Sequence, residues 1–173
     1  ERGERFILVD DVLRSGKTLG VDSTMLEANA AMKSIVRRDT GASWTKYLTR
    51  LAKQAGIKNP TAEDLRRMDR QRPGKKVSNA DWKSPSDPDS RIARMKDGRT
   101  HLAYKAEHAV DLESEVIVAA TIHPADRSDA QTLPDTLVRT QTNLLMSGSE
   151  ERVQEAVADK GYHAAETLRK CQL

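Results

Sequence analysis

Two aspartates, Asp22 and Asp159, each follow a short apolar run that is typical of a β-strand. Asp22 comes after Leu19-Gly20-Val21, and Asp159 comes after Val157-Ala158. In open α/β sheets ligand sites gather at the carboxyl ends of strands, so acids at two such ends can share one site. Carboxylate oxygens suit Mg²⁺ or Mn²⁺. A pair of such ions can support in-line displacement at a phosphodiester, which is the chemistry this spacing would serve.

The spacing of the two acids is a weak signal by itself. They lie 137 residues apart in a chain that contains 26 Asp and Glu. An aspartate at a strand end is more often a turn or helix-cap residue than a metal ligand. On spacing, a metal site and a structural role therefore both stay open.

Hydrophobic periodicity predicts the elements that would position the acids. Helices are expected over residues 4–14, 25–37, 44–55, from Thr61 to about residue 70, over about 129–145 despite Pro134, and after Gly161. Strands are expected over residues 18–24, 101–111, 116–122 and 153–158. This order predicts an α/β domain with a mixed sheet, interrupted by a basic helical insertion.

Two of the predicted strands carry further expectations. Residues 101–111 alternate, which places Leu102 and its period-two neighbours on an apolar side and Lys105, Glu107 and Asp111 on the other. The continuous apolar run over residues 116–122 is typical of a buried central strand.

Residues 31–97 are strongly basic, with 17 Lys and Arg against 8 Asp and Glu, although the whole chain has a formal charge of only +3. A basic block beside an acidic body predicts a polyanion partner. A solvated Lys- and Arg-rich helical face is the alternative. The candidates for phosphate contacts are Arg37, Arg38, Lys46, Arg50, Arg66, Arg67, Arg70, Arg72, Lys75 and Lys76.

Four blocks of sequence resemble one family in the same order along the chain. Gly20-Val21-Asp22-Ser23-Thr24 is similar to the first-aspartate motif of bacterial insertion-sequence DDE transposases, whose catalytic core is RNase H-like. Residues 96–108 resemble the strand that follows, and residues 123–129 (His-Pro-Ala-Asp-Arg-Ser-Asp) resemble a later loop. Ala158-Asp159-Lys160-Gly161-Tyr162 resembles the second-aspartate motif.

The resemblance implies an RNase H-like mixed sheet, with residues 18–30 and 98–173 as a partial catalytic core and residues 31–97 as a basic insertion and linker. Residues 1–17 would be the tail of an N-terminal helical region. Asp22 and Asp159 would be catalytic acids that bind Mg²⁺ or Mn²⁺. The implied reaction is cleavage of DNA at the element ends and transfer of the 3′-hydroxyl to target DNA. The implied partners are terminal-repeat and target DNA, with a homodimer in the full-length enzyme.

Both ends of the chain resemble cuts, so we expect an internal fragment that is inactive by itself. The N-terminal DNA-binding region would be missing, and the family's third acid, a downstream glutamate, has no counterpart before Leu173. Glu166 lies only seven residues after Asp159 and is not expected to replace it. The alternatives are a non-catalytic, domesticated DNA-binding remnant and a translated remnant without function.

The remaining chemistry-bearing residues are expected to have structural roles. The four histidines (His101, His108, His123 and His163) lack metal-site spacing with the single Cys171. Asp126 and Asp129 are expected to cap a helix, and Trp44 and Trp82 to anchor a core rather than stack on bases. One cysteine excludes an internal disulfide, and no apolar run is long enough to cross a bilayer. We therefore expect a cytoplasmic, nucleoid-associated protein with no membrane partner.

Overall fold

The computed structural model describes residues 5–9, 16–74 and 77–171. Along the chain the strands are β1 (Arg5–Val9), β2 (Lys17–Glu27), β3 (Val36–Arg37), β4 (Trp82–Lys83), β5 (Arg91–Arg94), β6 (Thr100–Asp111), β7 (Ile117–Pro124) and β8 (Val153–Asp159). The α-helices are α1 (Trp44–Gln54), α2 (Ala62–Gln71), α3 (Asp129–Met146) and α4 (Ala165–Cys171). Two compact units result: the first contains Glu1–Leu26 and Tyr104–Leu173, and the second contains Glu27–Ala103.

The first unit is built on a mixed sheet. Strands β1, β8, β2 and β6 are neighbours in that order, and β7 pairs with β6. Strand β8 runs parallel to β2 and antiparallel to β1, while β7 runs antiparallel to β6. The fold is mixed α/β, as the sequence predicts, and it is consistent with the RNase H-like class.

One face of this sheet packs into a hydrophobic core. Leu19 and Val21 on β2 contact Leu133 on α3, and Tyr162 closes the cluster from the turn after β8. All four side chains are almost fully buried. Each large apolar side chain buried in this way stabilises the fold by about 1.5–3 kcal/mol, so α3 is held on the sheet by its apolar stripe.

Helix α3 contains a proline that α4 compensates. Pro134 has no N–H to donate to the carbonyl of Ala130, which an ordinary residue in the helix would do. The hydroxyl of Thr167, which is buried on α4, donates to that Ala130 oxygen at 2.7 Å. The unpaired carbonyl that Pro134 leaves is therefore satisfied by the neighbouring helix.

The second unit is held together by a helical pair and an aromatic cluster. Leu48 and Ala52 on α1 pack against Leu65 on α2. Helix α2 begins with a reciprocal capping box, in which Thr61 and Asp64 each accept from the other's backbone N–H. Trp82 is buried against Trp44 at 4.8 Å between ring centroids, as expected of a core anchor. No helix in the described parts of either unit is long and apolar enough to cross a membrane.

Three of the secondary-structure predictions are wrong. Residues 5–9 form strand β1 rather than a helix, because all five pair with residues 155–159 of β8. Residues 10–15 lie outside the described part of the chain. Residues 25–27 continue β2, and the only helical turn of the predicted 25–37 helix is a 3-10 turn at residues 32–34. Pairing within the sheet has overridden a local helix preference.

The third error concerns β7. The apolar run predicts a buried central strand, but among the described strands β7 pairs only with β6. Ile117 and Ile122 on this strand are 59% and 61% exposed. A strand with one sheet neighbour and one packed face leaves the side chains of its other face in solvent.

Candidate metal and nucleic-acid site

The register of two parallel strands brings Asp22 and Asp159 to the same level of the sheet. Strand β2 pairs with β8 as Leu19 with Ala156 and Gly20 with Val157. These partners are separated by the same 137 residues that separate Asp22 from Asp159. The two acids therefore occupy equivalent positions on neighbouring strands, two residues beyond the last pair.

Asp22 is not at the end of its strand, as the sequence suggested. Strand β2 continues to Glu27, so Asp22 lies in its middle, whereas β8 does end at Asp159. The position still suits a site because β8 stops there. Strand β2 therefore continues past Asp22 at the level where β8 ends.

The two acids line one open cleft of about 470 Å³. Leu19 and Ala156, which are buried, do not line it. The cleft is lined by residues 20–24, His108, Val110, Leu112, Val157, Ala158 and Asp159.

Each carboxylate is oriented by a nearby backbone N–H. The N–H of Ser23 donates to Asp22 Oδ1 at 2.7 Å, and the N–H of Gly161 donates to Asp159 Oδ1 at 2.8 Å. Neither Oδ2 atom accepts a hydrogen bond from the described residues. Each acid therefore keeps one carboxylate oxygen available to a ligand in the cleft that both residues line.

This donor set fits a small divalent cation that keeps most of its water. Within the described ranges no cluster of three or more His, Cys, Asp or Glu could hold a metal, so Asp22 and Asp159 would supply two ligands at most. Mg²⁺ is commonly bound by one or two carboxylates, with water and substrate phosphates completing its shell. Two exposed carboxylates beside an open cleft meet that requirement.

A buried polar network lies behind the two acids on the α3 side of the sheet. Lys105 and Glu107 on β6 are 1% and 0% exposed. Lys105 Nζ lies 2.6 Å from Asp129 Oδ1, and it donates to Thr132 Oγ1 at 2.8 Å. Glu107 accepts from the hydroxyls of Thr132 and Thr136 on α3. Each charge is thus paired or hydrogen-bonded, as burial requires.

This network corrects the sequence-based assignment of the two faces of β6. Lys105, Glu107 and Asp111 are buried although they are charged, and on the other side Leu102 and Ala106 are buried while His108 and Val110 line the cleft. The threonines at 132, 136 and 140 of α3 were the available signal. They recur at helical spacing and form a hydroxyl stripe that matches buried charges on a facing strand.

Tyr162 closes the network from the turn after Asp159. Its ring centroid lies 5.9 Å from Lys105 Nζ, within range of a cation–π interaction. Its hydroxyl is buried with no hydrogen-bond partner among the described residues. Burial therefore raises the pKa of Tyr162 far above its usual value.

The family model of the transposase DDE domain matches residues 80–172, which is more than half of the chain. The chain belongs to this transposase family. The matched segment includes Asp159 and the Lys105 network, and Asp22 lies outside it. No curated protein and no solved structure shows significant similarity to the chain.

Four of the arginines that the sequence offered as DNA contacts in this transposase are engaged within the second unit. Arg37 pairs with Asp39 and Asp81. Arg38 donates to the carbonyls of Asn79 and Trp82. Arg67 pairs with Asp64, and Arg72 pairs with Asp69. Arg37 and Arg72 also lie over the rings of Trp82 and Trp44, respectively.

Other candidates in the transposase remain exposed. Lys46 and Arg50 lie on α1 with Lys53, at spacings that place all three on one helix face. Together with Thr49 and Gln54 they line a groove of about 520 Å³. Arg66 and Arg70 are exposed on α2. Lys75 and Lys76 lie outside the described residues.

The histidines are distributed over separate places in the transposase. His101 contacts Glu27 and Asp97, which raise its pKa, the Glu27 hydrogen bond most. His123 is buried beside Thr121, and burial lowers its pKa. His108 lines the cleft with Asp22 and Asp159, a placement that the sequence did not suggest.

Two further residues complete the comparison with the sequence. Glu166 pairs with Lys170 at 2.8 Å on the exposed side of α4, so its carboxylate is engaged locally. Asp129 does not cap α3. Ser128 is the N-cap and forms a capping box with Gln131, which leaves the Asp129 carboxylate for Lys105 and Ser23.

Proposed function

We propose that this chain carries two catalytic acids of a DNA transposase, Asp22 and Asp159, and that they bind Mg²⁺ or Mn²⁺. The parent reaction is cleavage of DNA at the ends of the mobile element and transfer of the 3′-hydroxyl to target DNA. The single observation that carries the proposal is the β2–β8 register. It aligns two oriented, exposed carboxylates on the wall of one cleft.

The chain's own residues would prepare the cleft for a phosphodiester. When bound, a divalent metal supplies stabilisation of the charge that develops on phosphodiester oxygens. The N–H groups of Ser23 and Gly161 hold the two carboxylates in place before any ligand arrives. Such preorganisation reduces the rearrangement required during reaction.

Metal binding tests the proposal without requiring turnover. We expect the purified chain to bind Mn²⁺, with the free ion measured by electron paramagnetic resonance. D22N and D159N should each weaken the affinity at least tenfold, because each removes one of two anionic ligands. E166Q is the matched control, since it removes an exposed carboxylate that already pairs with Lys170. Equal loss in E166Q, or no Mn²⁺ binding by the wild type, would contradict the proposal.

Catalysis by these 173 residues is expected to be weak. The described residues bring two carboxylates to the cleft and no cluster of three, which limits both metal affinity and the stabilisation of charge. Conversion of supercoiled plasmid to nicked circles in Mg²⁺ or Mn²⁺ measures this directly. Robust nicking that disappears in D22A would show that the two acids suffice.

The basic groove on α1 favours a second candidate, DNA binding without catalysis. Lys46, Arg50 and Lys53 present three cations along one groove of the second unit. Phosphate contacts of this kind hold DNA without reading its sequence. Duplex binding that is unchanged by EDTA and by D22N, in a chain that also fails to bind Mn²⁺, would favour this candidate over the transposition chemistry.

A further inference from the structure

The carboxylate of Asp129 contacts the segments that carry both candidate catalytic acids. Its Oδ1 accepts a hydrogen bond from the hydroxyl of Ser23 at 2.9 Å, and Ser23 directly follows Asp22. A Cβ atom built on Gly161 would lie 2.9 Å from Asp129 Oδ2 and 2.9 Å from Asp159 Oδ1. Asp129 therefore lies against the turn whose N–H orients Asp159.

The buried ammonium of Lys105 pairs with this carboxylate. Lys105 Nζ lies 2.6 Å from Asp129 Oδ1 and is itself 1% exposed. A buried ammonium is strongly unfavourable unless it is paired. Lys105 therefore holds the Asp129 carboxylate in place, while Thr132 and Glu107 complete the surroundings of the ammonium.

The position of Asp129 is not required by its own helix. Ser128 and Gln131 already form the capping box of α3. An acid in the first turn of a helix gains from the helix dipole in any orientation that stays near the N-terminus. Its contacts with Ser23, Lys105 and the Gly161 turn are additional, and they join α3 to β2, β6 and the end of β8.

We propose that Asp129, held by Lys105, is a positioning residue that fixes the Asp22 and Asp159 carboxylates relative to each other for divalent metal binding. The inference rests on the proposed function of those two acids. Asp129 acts through Ser23 and through the Gly161 turn rather than as a ligand. Residues that orient metal ligands in this way commonly change metal affinity by about 10–100-fold when they are removed.

The test compares Mn²⁺ affinity with stability in the same variants. D129A should weaken Mn²⁺ binding at least tenfold in protein that is still folded at the temperature of the measurement. D129N should retain part of the affinity, because its amide oxygen still accepts from Ser23. D135N is the matched control: Asp135 lies on the same helix and pairs with Arg127 at the surface, so its affinity should equal that of the wild type.

A second variant keeps the test decisive if D129A fails to fold. G161A leaves Asp129 and Lys105 unchanged but inserts a methyl group between the Asp129 and Asp159 carboxylates. We expect it to weaken Mn²⁺ binding at least threefold while the thermal midpoint of unfolding stays within a few degrees.

The outcomes separate this inference from the function on which it rests. If D22N weakens Mn²⁺ binding but folded D129A and G161A do not, the positioning role is wrong and the metal site stands. If the wild type binds no Mn²⁺, both are wrong. If D129A lowers stability but leaves the affinity of the folded protein unchanged, Asp129 has only a structural role and the inference is overturned.

Discussion

Asp111 is buried at the end of β6, where it accepts hydrogen bonds and pairs with a lysine. Its carboxylate contacts the hydroxyl of Ser114 and lies 3.0 Å from Lys17 Nζ. The Ser114 hydrogen bond and then Lys17 lower the pKa of Asp111 to about 2. A carboxyl with a folded pKa below its unfolded value stabilises the folded state only while it is ionised.

This gives a prediction for the acid stability of D111N. Asp111 contributes its full stabilisation above the unfolded pKa of about 4, and that contribution is lost as the pH falls through the folded pKa of about 2. D111N should therefore be less stable than the wild type at pH 7, and the difference should shrink between pH 4 and pH 2. Urea unfolding at several pH values measures it. E113Q, an exposed neighbour, should show no such dependence.

His101 gives a second prediction at the same scale. The ring contacts Glu27 at 2.7 Å and Asp97 at 3.2 Å, and both raise its pKa above the ordinary value of 6.5. Protonated His101 stabilises the folded second unit below about pH 6.5, and that stabilisation is lost as the pH rises through the raised folded pKa. NMR titration should find the His101 pKa above 6.5 in the wild type and lower in E27Q. A value at or below 6.5 in the wild type would contradict the assignment.

At the scale of elements, the compensation between Pro134 and Thr167 can be tested by a double-mutant cycle. T167V removes the hydroxyl that donates to the Ala130 carbonyl, and leaving that carbonyl unpaired should cost about 1–3 kcal/mol. In a P134A background the loss should be smaller, because the substituted alanine has an N–H that can donate to the same oxygen. Thermal or urea unfolding of the four proteins gives the coupling. Additive losses would show that α4 does not serve this purpose.

Elements defined by local signals were predictable from the sequence, and those defined by distant partners were not. Helix α1 begins at Trp44 and α2 follows its Thr61 cap, as predicted, because capping and periodicity are written within a few residues. The length of β2 depends instead on pairing with strands far along the chain. The burial of Lys105 depends on Asp129 and Thr132, whose side chains reach it only after α3 has packed on the sheet.

The candidate site shows the same division. The motifs around Asp22 and Asp159 offered both acids as candidates, but their shared level in the sheet follows from a register that no local pattern encodes. The positions of His108 and Asp129 beside them depend on how β6 and α3 pack, which involves residues far apart in the sequence. Of the predicted phosphate contacts, composition could not separate Arg37 and Arg72, which are engaged with acidic and aromatic neighbours, from exposed Lys46 and Arg50.

At the scale of the whole molecule, the charge of the second unit predicts salt-dependent DNA binding. Three phosphate contacts made by Lys46, Arg50 and Lys53 would contribute up to about 2.7 to the slope of log affinity against log salt, at about 0.9 for each contact. The triple variant K46Q/R50Q/K53Q should bind duplex DNA more weakly and with a shallower slope in fluorescence anisotropy. R139Q/R152Q/K170Q, which removes three exposed cations from the first unit, is the control of equal charge. Equal effects of the two triple variants would show that DNA affinity depends on the net charge of the protein and not on the groove on α1.

The second unit leaves and rejoins the rest of the chain at one place. The N–H of Ala28 donates to the carbonyl of Leu102 at 2.8 Å, so the two ends of the unit are tied directly to each other. The segment between those ends can be lengthened, shortened or exchanged without changing the distance between Ala28 and Leu102. The separation of 137 positions between Asp22 and Asp159 therefore includes a unit whose length does not set the β2–β8 register, and we expect the same pair of acids to form if that unit is lengthened or shortened.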